Sequence, residues 1–158
     1  MNPRANLFAA APQLMQAFLG FSETVAKSGL EPALLELVKI RASQINGCAN
    51  CLNMHTVFAR EDGETEQRIY LLSAWREAPC YTDRERAALG WTEALTRICE
   101  GHTHESAYEA LEAEFTPEEQ VKLTLMINVI NGYNRLAVGF GGWADPAAIR
   151  SAAKAAAA

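Results

Sequence analysis

The chain has 158 residues, enough for one domain with a real core, and its 49% hydrophobic and 21% charged content is that of a soluble globular protein. A net charge of −5 argues against nucleic acid or an anionic membrane surface as a partner, and no apolar run reaches the ~18 residues of a membrane span. Four cysteines in a chain whose opening stretch lacks an apolar signal core read as redox or metal thiols rather than a disulfide framework, with the cytoplasm as the expected compartment.

Leu7, Leu14, Phe18 and Phe21 recur at helical intervals, and Ser22 is suited to cap a short helix that Ser28-Gly29 ends near Lys27. Pro32 fits the first turn of the next helix, with Leu34, Leu37, Val38 and Ile45 as its apolar stripe and Asn46-Gly47 as its stop. A second helical pattern follows at once, with Leu52, Phe58 and Ala59 apolar, and halts at Asp62-Gly63. Thr65-Glu66 opens another helix with Ile69, Leu72 and Trp75 inward, and Pro79 closes that region. Thr82-Asp83-Arg84-Glu85 is a capping box ahead of a stripe of Ala88, Trp91, Leu95 and Ile98. Tyr108, Leu111 and Phe115 mark a further helix.

Thr116-Pro117-Glu118-Glu119 combines a capping box with proline at the first helical position. The helix behind it, through Leu123, Met126, Ile127 and Ile130, is apolar nearly all round, which places it at the centre or at a subunit interface, with Gly132 as a candidate bend. Gly139, Gly141 and Gly142 read as a turn before Trp143, and residues 152–158 as a frayed tail. No segment alternates with the period of a strand. The expected fold is all-α: a helical bundle forming one domain over 1–158, with a Cys pair at a helix-hairpin turn.

The chemistry concentrates in Glu36, Cys48, Cys51 and His55. The Cys pair lies at the turn and first turn of the hairpin, where free N–H groups favour a thiolate. Cys51 and His55 are four apart and share a helix face. Glu36 lies about 16 Å up one helix from Gly47 and His55 about 12 Å up the other, at ~1.5 Å per residue, so carboxylate and imidazole can meet directly or through a water. A thiolate attacks, an imidazole returns protons near neutral pH, a carboxylate orients the imidazole, and a second thiol resolves the oxidised first.

This stretch resembles the alkylhydroperoxidase D family within the carboxymuconolactone decarboxylase superfamily. The resemblance rests on Glu36, the twelve-residue step to Cys48, the C-x-x-C pair and His55 four beyond Cys51. Surrounding words match too: Arg41-Ala42-Ser43-Gln44-Ile45-Asn46-Gly47, Ala59-Arg60, Gly63-Glu64-Thr65, Ala74-Trp75-Arg76-Glu77 and Glu85-Arg86-Ala87-Ala88-Leu89. The strong part covers residues 34–96. The resemblance implies an all-helical, cofactor-free peroxidase that assembles as a trimer or hexamer. Cys51 would attack an organic or hydrogen peroxide, Cys48 would resolve it into a disulfide, and Glu36 and His55 would relay protons. A lipoyl-carrying or thioredoxin-like partner would restore the dithiol. One departure stands out. The best-known members carry His directly before the second Cys, where this chain has Asn50. Asparagine cannot relay a proton near neutral pH, so modest peroxidase activity is expected.

Rival readings of the motif are buried structural thiols, a zinc site of two thiolates, an imidazole and a carboxylate, a redox- or metal-sensing module, a lactone decarboxylase and a protein disulfide exchanger. His102 and His104 read as solvent-exposed loop residues, and Cys80 and Cys99 as packing thiols. Asn128, Asn131 and Asn134 recur every three residues on the last long helix. They read either as a hydrogen-bond ladder at a subunit interface or as a coil-facing stripe.

Overall fold

A computed structural model describes residues 4–101 and 104–149. The helices are α1 (Leu7–Ala10), α2 (Pro12–Ala26), α3 (Pro32–Asn46), α4 (Ala49–Glu61), α5 (Glu66–Leu71), α6 (Asp83–Thr96), α7 (Glu105–Glu114) and α8 (Pro117–Phe140), with 3-10 turns at Leu72–Ala74 and Ile98–Glu100. Among the described residues there is no strand, and no helix is long and apolar enough to cross a membrane. The tail at 152–158 and His102 lie outside the described residues.

The expected starts and stops have the expected chemistry. Thr82 and Thr116 each accept the N–H three residues on, and Glu85 and Glu119 reach back to the cap nitrogen. Each cap satisfies N–H groups that a helix start leaves without partners. Three helices begin on proline, whose missing N–H costs nothing there.

α3 is the organising element: nine of its fifteen residues are buried, and it packs on α4, α6 and α8. On one side Leu34, Leu35 and Val38 join Leu111, Leu123, Met126 and Ile127. On another, Leu37 and Ile40 meet Ile69, Leu72, Trp75 and Leu89. Burying each such side chain contributes about 1.5–3 kcal/mol. Sequence pattern favoured α8 for this central place. α3 outranks it because Glu36, Arg41 and Ser43 are buried along with the apolar stripe.

Arg41 is neutralised where it is buried. Its Nε donates to Glu93 Oε1 at 2.7 Å, and the same oxygen accepts Trp75 Nε1 at 2.9 Å. Arg76 donates to the other oxygen. The carboxylate thus ties α3, α6 and the 3-10 turn together, and a buried charge left without such partners would be strongly destabilising.

The N-terminal region departs from its pattern. α2 is one helix running through Ser22, whose hydroxyl donates to Leu19 O and pairs with Tyr133 Oη at 3.1 Å instead of capping a new helix. Its inward residues are Met15, Phe18 and Val25, while Leu14 and Phe21 are exposed. Gly132 does not interrupt α8. A Cβ there would lie 2.9 Å from the tip of Phe18, so glycine lets α2 come close. Ile98, expected on the α6 stripe, is exposed on the 3-10 turn beyond it.

Candidate functional site

The turn between α3 and α4 sets the cysteines. Gly47 closes α3 with φ of 63°, a left-handed conformation that suits glycine, and the Cys48 N–H returns to Ser43 O at 3.0 Å. Cys48 is thereby the N-cap of α4. Its Sγ accepts the N–H of Cys51 at 3.3 Å, the task a serine or aspartate oxygen performs elsewhere. Both thiols are free and buried, at 1% and 4% exposure, which leaves almost no room for bulk water at either sulfur.

The two helices then run back alongside each other, and Glu36 meets His55 directly: Oε2 and Nδ1 are 2.8 Å apart. Lys39 Nζ donates to the other oxygen, also at 2.8 Å. Burial pushes the Glu36 carboxyl up, but the hydrogen bond and charge of His55, with Lys39 behind them, outweigh it and hold it down to about 2. An ionised carboxylate only accepts, so Nδ1 carries a proton in this pair and Nε2 is the ring nitrogen that the pairing leaves over. The ring lies on the same helix as Cys51, one turn further on.

The thiolate expected from the helix N-terminus is corrected for Cys51. Desolvation pushes its thiol up to about 12, and contact with Cys48 adds to the rise, while Asn134 and Ser43 oppose it. The main reason is burial, in a cluster with Ala42, Cys48 and Ile130. The Cys51 N–H meanwhile goes to the sulfur of Cys48.

Asn50, where the resemblance leads one to expect a relay histidine, has a different occupation. Its Oδ1 accepts the N–H of Ala144 at 2.7 Å, and Asn53 Nδ2 donates to Ala144 O at 3.3 Å. The segment after α8 is thus fastened across the start of α4.

Four polar residues beside the motif had no role in its sequence reading: Ser43, Asn46, Asn131 and Asn134. Asn46 Nδ2 donates to Asn131 Oδ1 at 2.9 Å and to Asn134 Oδ1 at 2.8 Å. Asn131 Nδ2 reaches Thr96 Oγ1 and Ile127 O, and Asn134 Nδ2 reaches Ser43 Oγ at 3.0 Å. The asparagine ladder is therefore internal and joins α8 to the end of α3, while Asn128 is exposed and takes no part. The three-residue spacing on an apolar helix is the signal in the sequence; its target, Asn46, carries only the signature of a helix stop.

Elsewhere, His104 is half-buried rather than exposed, and its shielded Nε2 has no hydrogen-bond partner among the described residues. Cys80 packs against the Leu37 cluster, whereas Cys99 is exposed. A cavity of about 510 Å3 between α6 and α7 is remote from the motif, with none of the four motif residues in its lining. Among the described residues no group of three or more His, Cys, Asp and Glu side chains is gathered as a metal shell.

Comparison with known proteins places the chain as a whole. The model of the carboxymuconolactone decarboxylase family matches residues 12–94. The uncharacterized protein YdfG of Bacillus subtilis (strain 168) is 39% identical over 141 residues, covering 89% of this chain and 96% of that one. A solved protein of unknown function from Agrobacterium tumefaciens, with a suggested AhpD-type role in antioxidant defence, is 46% identical. It superposes with a TM-score of 0.87 over 91% of this chain and 99% of its own. The debrominase Bmp8 shares the fold alone, at 17% identity and a TM-score of 0.78 over 89% of this chain and 77% of its own. With more than half its length under one family model and close relatives along nearly all of it, the chain belongs to the carboxymuconolactone decarboxylase family, as an alkylhydroperoxidase D-like protein.

Proposed function

We propose that the protein is a thiol peroxidase that reduces organic or hydrogen peroxide through a Cys48/Cys51 dithiol–disulfide cycle. The observation that carries this reading is the 2.8 Å pairing of Glu36 with His55 one helical turn from Cys51. A thiol as hard to ionise as Cys51 needs a neighbouring base, and this pairing leaves one free at Nε2.

In the cycle His55 takes the Cys51 proton and the thiolate attacks a peroxide oxygen. An S–O bond forms, the O–O bond breaks, and the alkoxide leaves as alcohol with the proton His55 returns. The sulfur, oxidised by two electrons, is a sulfenic acid. Cys48 attacks it as thiolate, the disulfide forms, and the displaced hydroxide leaves as water with one proton. An external dithiol, lipoyl-carrying or thioredoxin-like, then gives two electrons and two protons to restore the pair. Asn50 is tied to Ala144 and does not serve the relay, so turnover is modest.

Thiol titration before and after one equivalent of cumene hydroperoxide, with mass spectrometry of the peptide holding Cys48 and Cys51, tests this. Rapid loss of two thiols as a Cys48–Cys51 disulfide is expected; thiols that stay intact sink the reading.

The same proposal includes assembly as a trimer or hexamer. Leu14 and Phe21 on α2 and Val121 and Val138 on α8 are exposed apolar side chains that association would cover. Light scattering is expected to give three or six chain masses; a monomer at micromolar concentration removes this part.

A further inference from the structure

The Glu36 carboxylate has a partner on each oxygen. His55 Nδ1 lies 2.8 Å from Oε2, and Lys39 Nζ donates to Oε1 at 2.8 Å. Glu36 and Lys39 are three apart on α3 and so share a face of that helix. On a wet surface such a pair would contribute little. Here it is shielded: the side chains of Lys39, Glu36 and His55 are 15%, 11% and 14% exposed.

Charge counting shows what the ammonium does. An ammonium, a carboxylate and a neutral ring sum to zero, whereas a protonated ring leaves the shielded trio with a net positive charge. Burial favours the neutral sum. Without the ammonium the balance inverts. Carboxylate and imidazolium then cancel, and burial favours the protonated ring, whose Nε2 has no lone pair to take a proton.

We propose that Lys39 is a positioning residue of the relay, whose ammonium on the far oxygen of Glu36 keeps the His55 ring uncharged so that Nε2 can take the Cys51 proton. This deepens the peroxidase reading and rests on His55 being the base for Cys51. The other charged groups nearby have partners of their own or stand further off. A cavity of about 190 Å3 behind Glu36 is lined by Asp62, Glu64, Arg68 and Glu85, and Arg68 bonds both Glu64 and Glu85. Arg41, also on α3, is committed to Glu93. On α4, Cys51 is the titratable group one turn before His55, and Arg60 beyond it pairs with Glu66. The C-terminal half of α8 has Arg135 as its charged residue, and that guanidinium donates to Asn131 O of its own helix.

An ion pair that only braces α3 predicts a lower melting temperature on disruption and nothing more. The tuning role predicts a change in the ring, read in the full chain without peroxide. NMR of the histidine rings, assigned with His55→Gln, is followed against pH in wild type, Lys39→Met, Lys39→Gln, Lys39→Arg and Lys122→Met. In Lys39→Met and Lys39→Gln the His55 ring is expected to protonate about one pH unit higher than in wild type, on the scale of losing one shielded charge at short range. Lys39→Arg, which keeps the charge, stays with wild type. Lys122→Met removes the ammonium of a pair with Glu118 on α8 and leaves the ring unmoved. Turnover of cumene hydroperoxide follows the ring: in Lys39→Met it is about tenfold slower on the acid limb of the pH profile and equal to wild type on the alkaline plateau. An unmoved ring in whichever of Lys39→Met and Lys39→Gln keeps the native circular dichroism spectrum overturns the proposal, as do an equal shift in Lys39→Arg or Lys122→Met and loss of the fold in both neutral variants. A ring that moves as expected in a chain inert to cumene hydroperoxide removes the peroxidase reading and keeps the role of Lys39.

Discussion

With Cys48 replaced by serine, one equivalent of cumene hydroperoxide is expected to consume one thiol and leave a dimedone-reactive sulfenic acid on Cys51. With Cys51 replaced by serine, no thiol is lost and turnover falls by at least ~10³-fold, to the level of a thiol without a partner base. The pair of variants matters because two physical effects oppose each other at this site. Cys48 is the sulfur that receives a helix N–H, at 3.3 Å, and this is the interaction that ordinarily activates a thiol. Cys51 is the sulfur driven toward its neutral form by burial. Against that, Cys51 has the helix face it shares with His55. We expect the base to decide: a thiol that is neutral at rest reacts when its proton is removed as substrate arrives, and His55 lies one turn from Cys51. Dimedone labelling of Cys48 in the Cys51→Ser variant would reverse the assignment and make the capped sulfur the attacker.

Much of this arrangement was legible in the residues because it is local. Thr82, Thr116, Pro32 and Gly47 fix their helix ends through bonds within a few positions, so the hairpin and the Cys pair at its turn follow from spacing. Glu36 and His55 were also reachable, since two helices leaving one turn place residues of similar height side by side. What did not follow depends on distant partners. Leu14 and Phe21 have the hydrophobicity of core residues, but α2 presents Met15, Phe18 and Val25 to α8 instead, and no local rule selects between those faces. Nothing local singles out Glu93 on α6; its place is set by Arg41, 52 positions earlier, which donates to its carboxylate. The high pKa of Cys51 is of the same kind. Helix position argues for a thiolate, and only the packing of Ile130, Ala42 and Cys48 around it reveals the desolvation that wins.

Glu36→Gln is expected to lower peroxide turnover by about 10²-fold or more, the scale of losing an effective general acid–base partner, while leaving Cys51 in place. Glutamine keeps the shape of the side chain but not its charge. It no longer demands a proton on Nδ1, so the ring is free to present the wrong nitrogen, and it no longer stabilises the imidazolium that forms when His55 takes the thiol proton. The same substitution has a thermodynamic signature with a definite sign. The Glu36 carboxyl is held down to about 2 in the folded chain, below its ordinary value of 4.5. Its ionisation therefore contributes stability in full above pH ~4.5, of order 3 kcal/mol for a shift of this size, and loses it as pH falls toward 2. Wild type should melt above Glu36→Gln at neutral pH, and the gap should close on acidification through that window, followed by calorimetry from pH 7 downward. A gap that persists unchanged at pH 2.5 would show that glutamine disturbs packing rather than charge. Turnover that survives the substitution would mean that the Glu36–His55 pair holds the hairpin together without carrying protons, and the base for Cys51 would have to be sought elsewhere.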